Sequence, residues 1–585
     1  MRQLPDRRPL PDRLAVMEES PAFLHGWSFS GKVAEVTALS GQEVAPALRL
    51  LEERVQSGLH AAGFVSYEAA GALNGDLTTC VPGDLPLLWF GLFERRSRDP
   101  FPAECRPFEC SGWQPSLDRE QFGGAVASIR RLIAAGDCYQ VNLTMRQRFS
   151  FSGCPRSFFN ELRRSQPTPY SCYLETGKHR ILSASPELFF SLAGGVLTTR
   201  PMKGTVARGR WYQEDQAQKR RLQESPKELA ENLMIVDLLR NDMGIVSQTG
   251  SVRVASLFDV ETHPTVHQMT STVNSLLKEG VGTLALFQAL FPCGSVTGAP
   301  KRRSMQIIAE LEGAPRGLYT GCLGYLSPGG EAKFSVAIRT AVLDADTGLG
   351  EIGIGSGITF DSAPEAEYAE SLSKGRFARE KRHEFQLIES LLYEGGGYFL
   401  LERHLERLAQ SAAYFSFPLE TGAAERALQA GAVGLTGRQK VRLLLFKDGT
   451  LDCQASPVAD PVQGGSAAFA KAAVDSLDPF LYHKTSRRQL YTEESAKRPE
   501  VSELIFLNER GEVTEGANSN VVALLDGELV TPPIDCGLLP GVFRGELLAQ
   551  GTIKERVLTR RDLEEATEIH LINSVRKWRR VRLEA

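Results

Sequence analysis

The apolar positions of this chain fall in short runs broken by turn signals, with helical runs between them. The pattern predicts a mixture of strands and helices. Residues 187–192 (ELFFSL) and 196–200 (VLTTR) read as two strands, and Gly194 and Gly195 between them read as a tight turn. A hairpin centred on Gly194 sets Glu187 opposite Pro201, with Lys203 as its diagonal neighbour on the same face. The run from Ser225 to Asp242 opens with Ser225, Pro226 and Glu228, a capping box with proline at the first helical position, and predicts a helix. The run from Ser362 to Lys374 predicts a second helix, with Ser362 and Glu365 in the same capping relation and Pro364 in the first turn.

A chain of 585 residues is long enough for two or more domains. Residues 1–22 are rich in proline and charge and are expected to be irregular. Residues 23–382 are expected to form one domain and residues 383–585 a second. The charged stretch Gly375–Phe385 between them contains no proline and reads as a helix end, not a loose tether. Hydrophobic residues make up 42% of the chain, enough for ordinary globular cores. The net charge of -4 gives no argument for a nucleic-acid partner. No apolar run is long enough to span a membrane, and the first residues lack the apolar core of a signal peptide, so a soluble cytoplasmic protein is expected. The ten cysteines are scattered singly, which fits reduced thiols better than disulfides or a zinc site.

Two groupings suggest chemistry. Glu187 and Lys203, a carboxyl and an amine at one end of a hairpin, suit an acid and a nucleophile. From spacing alone, a cross-strand salt bridge is the better account. Glu367, Glu370 and Lys374 share one face of the second helix, and Glu231 lies on the first. Crowded carboxylates repel unless a cation joins them, and Mg²⁺ takes one or two carboxylates plus substrate oxygens. Taken alone, a solvated face with an i,i+4 salt bridge is again the better account.

The motifs GDCYQVNLT (136–144), SPELFF (185–190), RPMKGT (200–205), AENLMIVDLLRND (230–242), FPCGSVTGAPK (291–301), FSVAIRT (334–340), GIGSGI (353–358) and EAEYAE (365–370) come in this order. They resemble the chorismate-utilising enzymes: anthranilate synthase large subunits, aminodeoxychorismate synthase component I and isochorismate synthases. The resemblance covers roughly Phe23–Arg379 and implies an α+β fold, a sandwich of antiparallel sheets wrapped by helices. It implies that Glu231 and Glu370 bind Mg²⁺ with Glu367 beside them. Arg339 and the turn Gly355, Ser356 and Gly357 would hold chorismate carboxylates, Lys374 would sit near the metal-bound carboxylate, and Thr297 belongs to the same pocket. Water-adding members of the family carry a lysine base where this chain has Gln140, which implies ammonia as the nucleophile. Anthranilate synthases carry alanine where this chain has Lys203. Lysine there implies attack on C2 of chorismate as the C4 hydroxyl leaves, with Glu187 as general acid. The chain departs from anthranilate synthases at Gln268, which takes the place of a histidine, and His267 is assigned no role.

The C-terminal motifs FLLERHLERLAQSAAYF (399–415), YHKTSRRQLY (482–491), GEVTEGANSNV (511–521), LLPGVFRGELL (538–548) and LINSVRKW (571–578) resemble the fold-type IV pyridoxal-phosphate enzymes. These include branched-chain and D-amino-acid aminotransferases and aminodeoxychorismate lyase, and the resemblance implies a second α+β domain. Lys484 matches the lysine that holds the cofactor, and Glu515 matches the anion at its ring nitrogen. Val542 and Phe543 match a phosphate cup at a helix start, completed by Arg407 and Ser574. Singly, Lys484 reads as a loop lysine, Glu515 as a turn residue and Arg407 as a helix-surface charge. Free-standing members begin with an extra stretch, whereas here the chain enters at FQLIESL (385–391), which bears on the pocket wall and not on the lysine.

Together the resemblances imply a bifunctional enzyme that turns chorismate and ammonia into 4-amino-4-deoxychorismate and then, with pyridoxal phosphate, into 4-aminobenzoate and pyruvate. The chain shows no GxCxG glutaminase segment, so a separate glutamine amidotransferase subunit is expected to supply ammonia. A homodimer through the C-terminal domain is expected by resemblance only. The rival readings are an anthranilate synthase component fused to a class IV aminotransferase, against which Lys203 counts, and a non-catalytic regulatory module, which needs no nucleophile.

Overall fold

The structure, a computed structural model, describes residues 22–103, 106–379, 383–458 and 465–584. Most of the N-terminal segment expected to be irregular, and residues 380–382 of the charged junction, lie outside these. The chain divides into two compact units. One comprises the chain up to Val206 together with Leu222–Arg382, and the other comprises Ala207–Arg221 together with the chain from His383 onward. Both are α+β.

Among the described residues of the first unit, eighteen strands form one hydrogen-bonded network. Its long pairs are antiparallel, such as Leu349–Ile358 against Gln140–Gly153 and Cys322–Ser327 against Glu331–Val336. One apolar core packs Phe90, Phe190 and Phe334 against Ile235 and Phe287, and a second packs Phe122, Phe149 and Phe158 with Leu143 and Ile354.

The hairpin read from the sequence is present, with strands Leu188–Ala193 and Val196–Arg200. Gly194 (φ 56°) and Gly195 (φ 76°) form a two-residue turn in the left-handed region that glycine enters without steric cost. Leading from the turn, Leu197 pairs with Leu192 and Thr198 with Ser191; a bulge then shifts the register so that Arg200 pairs with Leu188. The hairpin ends at that pair: Glu187 lies just before its first strand, and Lys203 lies on a further strand, Met202–Ala207, which pairs with Val266–Leu276, so the expected diagonal pairing within the hairpin is not made.

The helix Pro226–Val246 starts as its sequence predicts, with Pro226 in the first turn and the Ser225 hydroxyl accepting from the Glu228 N–H. The helix Pro364–Lys374 does not. Its cap residue is Ala363, which makes no side-chain cap bond. Ser362 instead closes the preceding turn, accepting from the Thr359 N–H at 3.1 Å, and donates to Glu367 Oε1 at 2.7 Å. The expected capping box with Glu365 is therefore displaced, because the serine hydroxyl is engaged one residue too early.

The second unit holds a four-stranded sheet, in which Leu387–Glu394 pairs antiparallel with Gln439–Leu445, and an eight-stranded mixed sheet. In the latter Gly465–Phe469 runs parallel to both Glu503–Leu507 and Lys577–Leu583. The helix Leu401–Phe415 buries His404, Leu408, Ser411 and Ala412, a stripe at helical spacing facing the four-stranded sheet. Among the described residues no helix is long and apolar enough to cross a membrane, and nine cysteines are free thiols.

Candidate active sites

The first site is built where the hairpin opens. Glu187 is 2% exposed, and its Oε1 accepts from the Ser295 hydroxyl at 2.6 Å and from the Met202 N–H at 3.3 Å. Burial pushes its carboxyl up to about 7, against the pull of those hydrogen bonds and of the Lys203 charge. A carboxyl poised near neutrality can give up a proton at physiological pH. Lys203 lies on the next strand, Met202–Ala207, with its Nζ 3.4 Å from Glu231 Oε2. Its carbonyl accepts from Asn232 Nδ2 at 3.0 Å, which ties the strand to the helix carrying Glu231. Gln268 braces the same strand, donating to Gly204 O at 2.9 Å and accepting from the Thr205 hydroxyl at 2.8 Å.

The glycine run 355–357 borders this amine. A Cβ added at Gly357 would lie 2.5 Å from Lys203 Nζ and 2.8 Å from Gln140 Nε2, so only glycine leaves the amine and the amide their places. Gln140 is fully buried, yet neither of its amide atoms has a hydrogen-bond partner, and the buried Ser356 hydroxyl has none either. Orphaned polar atoms in a core cost about 1–3 kcal/mol each unless something fills them. The unpartnered Gln140 amide beside the Lys203 amine fits a polar substrate, whereas Ser356 alternates to the opposite face of its strand, in phase with Ile354 and Ile358. Arg339 adds a cation: it makes no ion pair among the described residues, its backbone sits at φ 49°, a strained conformation for a non-glycine residue, and burial lowers its guanidinium to about 10. Thr297 is fully buried, but its hydroxyl donates into the backbone of its own turn, at Cys293 and Gly294.

The carboxylates expected around a metal divide. Glu370 Oε1 is 2.8 Å from Lys374 Nζ, which also donates to Gly355 O at 3.0 Å. Burial would raise Glu370, but Lys374 and then Lys203 outweigh it and hold it below the usual carboxylate range. Glu231 and Glu370 thus share the field of Lys203, while Glu367 is turned to Ser362. Among the described residues no three metal-ligating side chains stand together. Two carboxylates from different helices still suit Mg²⁺, which keeps water and substrate oxygens in its remaining positions.

In the second unit, burial together with Arg407 and Arg488 lowers the Lys484 amine to about 7, against the opposite pull of Glu389 and Glu515. Glu515 is 5% exposed, raised to about 7 by burial, and held by the Tyr491 hydroxyl at 2.9 Å and the Leu539 N–H at 3.0 Å. A buried carboxyl that makes no salt bridge among the described residues fits a cationic ring nitrogen. The helix Val542–Ala549 presents the N–H groups of Val542 and Phe543 at its open end. Before it, a Cβ at Gly541 would meet Asn520 Oδ1 at 1.9 Å, so the approach to the helix is shaped for glycine. The Ser574 hydroxyl is buried and makes no hydrogen bond to a described residue. Arg407 is committed further than expected: it grips Glu389 through two bonds of 2.9 and 2.7 Å and donates to Pro540 O at 3.2 Å. Two of its five N–H groups stay free for a phosphate.

Sequence reasoning missed several residues. Ser295 and Asn232 orient Glu187 and Lys203. Glu389 holds Arg407 and also His404 Nδ1, at 2.6 Å, while the buried His404 Nε2 has no partner. The spacing of His404 and Arg407 on one helix face was the available signal; their shared carboxylate comes from a strand pairing that no local pattern reveals.

The chain is similar to known proteins in both units. The chorismate binding enzyme family matches residues 99–380, and the class IV aminotransferase family matches residues 386–583. Aminodeoxychorismate synthase component 1 of Klebsiella aerogenes is 43% identical over 264 residues, which are 45% of this chain and 58% of that protein. Anthranilate synthase component 1 of Aquifex aeolicus is 42% identical over 265 residues, 45% of this chain and 53% of that protein. The chain therefore spans between half and two thirds of the length of these relatives. Among solved structures, anthranilate synthase component I from Streptococcus pneumoniae superposes with a TM-score of 0.54 at 26% identity, covering 65% of this chain and 96% of that one. The class IV match implies pyridoxal phosphate as cofactor. The chain thus carries a chorismate binding enzyme domain over residues 99–380 and a class IV aminotransferase domain over residues 386–583.

Proposed function

We propose that the chain makes 4-aminobenzoate from chorismate and ammonia in two consecutive reactions. In the first, Glu187 protonates the departing C4 hydroxyl of chorismate, which leaves as water, while the Lys203 amine forms a bond to C2. Ammonia then attacks C4 and expels the lysine, giving 4-amino-4-deoxychorismate. Arg339 and Gln140 are the side chains available to hold substrate oxygens, and Lys374 lies beside Glu370. Glu231 and Glu370 would hold Mg²⁺, whose charge would offset theirs and loosen the grip of Glu231 on the lysine.

The second reaction belongs to Lys484. Pyridoxal phosphate supplies an electron sink at the amino-bearing carbon when bound. Lys484 would hold the cofactor and take the C4 proton, and the bond to the enolpyruvyl oxygen then breaks, releasing pyruvate and the aromatic amine. An amine lowered to about 7 is substantially neutral at physiological pH, as both roles require. Glu515 would pair with the ring nitrogen. Arg407, Ser574, Val542 and Phe543 would hold the phosphate.

The observation that carries the reading is Lys203 set against the near-neutral carboxyl of Glu187. Identity does not separate the two kinds of relative, since both stand near 42–43%. The name of the Klebsiella aerogenes relative carries "component 1", which supports a glutamine amidotransferase partner as the ammonia source. Incubation with chorismate, an ammonium salt, Mg²⁺ and pyridoxal phosphate should yield 4-aminobenzoate. Anthranilate in its place would refute the reading.

A further inference from the structure

The segment Ala207–Arg221 lies in sequence between Lys203 and Glu231, yet it packs as part of the second unit. Its turn is rigid by construction. Arg208 forms a two-pronged bond with Asp215, at 2.5 and 2.9 Å, with both side chains almost fully buried. The Gly209 N–H also donates to Asp215, and a Cβ at Gly209 would fall 2.2 Å from the Asp215 nitrogen, so the turn closes only around glycine.

This turn grips the residues that lead into Lys484. The Tyr414 hydroxyl donates to Gly209 O at 2.7 Å, and Arg208 lies over the Tyr414 ring and donates to Tyr414 O at 2.8 Å. His483 also packs on Tyr414, with ring centroids 4.3 Å apart, and its Nδ1 meets the Ser411 hydroxyl at 2.9 Å. Trp211 packs on Tyr482 with ring centroids 5.2 Å apart, and Arg210 donates to the Tyr482 hydroxyl. Tyr482 and His483 immediately precede Lys484. On the far side the Lys484 carbonyl accepts from the Ile388 N–H at 2.8 Å, and Thr485 bridges Leu387. The lysine backbone is thus held between a strand of its own unit and a turn encoded far upstream.

The geometry points to Ala207–Arg221 as a positioning element of the second site: Trp211 and Arg208 act through Tyr482, Tyr414 and His483 to fix the backbone of Lys484. The class IV half is then completed by residues that the chain encodes inside its chorismate-binding half. The assignment rests on the reading of Lys484 as the cofactor-holding lysine.

The test uses the full-length chain without cofactor, as wild type, Trp211→Ala and Trp211→Phe. Hydrogen exchange is followed for the amides of Tyr482–Thr485 and, as reference, for the strand Asn520–Leu525. The rate of borohydride-trapped pyridoxal phosphate on Lys484 is read by peptide mass. In Trp211→Ala the amides of Tyr482–Thr485 should exchange about tenfold faster or more while the reference strand is unchanged, and trapping should slow by a similar factor. Trp211→Phe, which keeps an aromatic ring against Tyr482, should restore both. Unchanged exchange at Tyr482–Thr485, or equal acceleration across the reference strand, would overturn the assignment. Failure of wild type to trap the cofactor on Lys484 would instead sink the cofactor reading and leave the exchange result to decide the positioning role.

Discussion

The raised carboxyl values of Glu187 and Glu515 are both products of burial, and burial is what makes them testable. Glu187, pushed up to about 7, must be protonated to act as an acid, so the first reaction should slow as pH rises through about 7. In Glu187→Gln that limb of the pH profile should vanish and the rate should fall by about 10²–10⁴-fold. The same shift bears on stability. Because the folded form binds this proton more tightly than the unfolded chain, its contribution is fully present below the ordinary carboxylate range and is lost as pH rises through about 7. Lys203→Ala should sharply reduce 4-amino-4-deoxychorismate; wild-type formation in this variant would remove the lysine from the mechanism. At this scale the sequence exposed the turn at Gly194 and Gly195, a local fact, but not that Lys203 lies on a strand beyond the hairpin. It could not expose Ser295, which reaches Glu187 from a segment more than a hundred residues away.

Individual elements carry the sites through close backbone approaches. Gly357, on the strand Leu349–Ile358, leaves room for Lys203 Nζ and Gln140 Nε2. Gly357→Ala should therefore displace the amine and abolish the first reaction while leaving thermal unfolding nearly unchanged, because the clash falls on side-chain ends and not on backbone. A variant with full activity would show that the amine does not work from this position. In the second unit, Gly541→Ala would drive a methyl group into Asn520 Oδ1 at the start of the helix Val542–Ala549. The expected outcome is weaker binding of pyridoxal phosphate, measured by titration, with the first reaction intact. Helix starts were only partly legible beforehand. Ser225 caps as its sequence predicts, whereas Ser362 is taken by the turn at Thr359, a competition between two local hydrogen bonds that spacing alone does not rank.

At the scale of the whole chain the two chemistries should separate cleanly. Lys484→Ala should convert chorismate and ammonium to 4-amino-4-deoxychorismate and accumulate it, and a separately added lyase should restore 4-aminobenzoate. Normal output of 4-aminobenzoate from the variant would overturn the role of Lys484. Chelation of Mg²⁺ should stop the first reaction and spare the conversion of supplied 4-amino-4-deoxychorismate.

The sequence by itself determined the hairpin of Leu188–Ala193 and Val196–Arg200, the helix bearing Glu231 and the order of two sets of motifs, because turns, caps and side-chain periodicity act within a few residues. Only the tertiary structure decided that Gln140 and Gly357 border the same amine, since that depends on the register of Leu349–Ile358 against Gln140–Gly153. It alone decided that Arg407 is shared with Glu389, and that Ala207–Arg221 packs with the unit containing Lys484. In each case the deciding interaction joins residues far apart in the chain, and which of them meet is set by the burial of faces that no local pattern assigns to a partner.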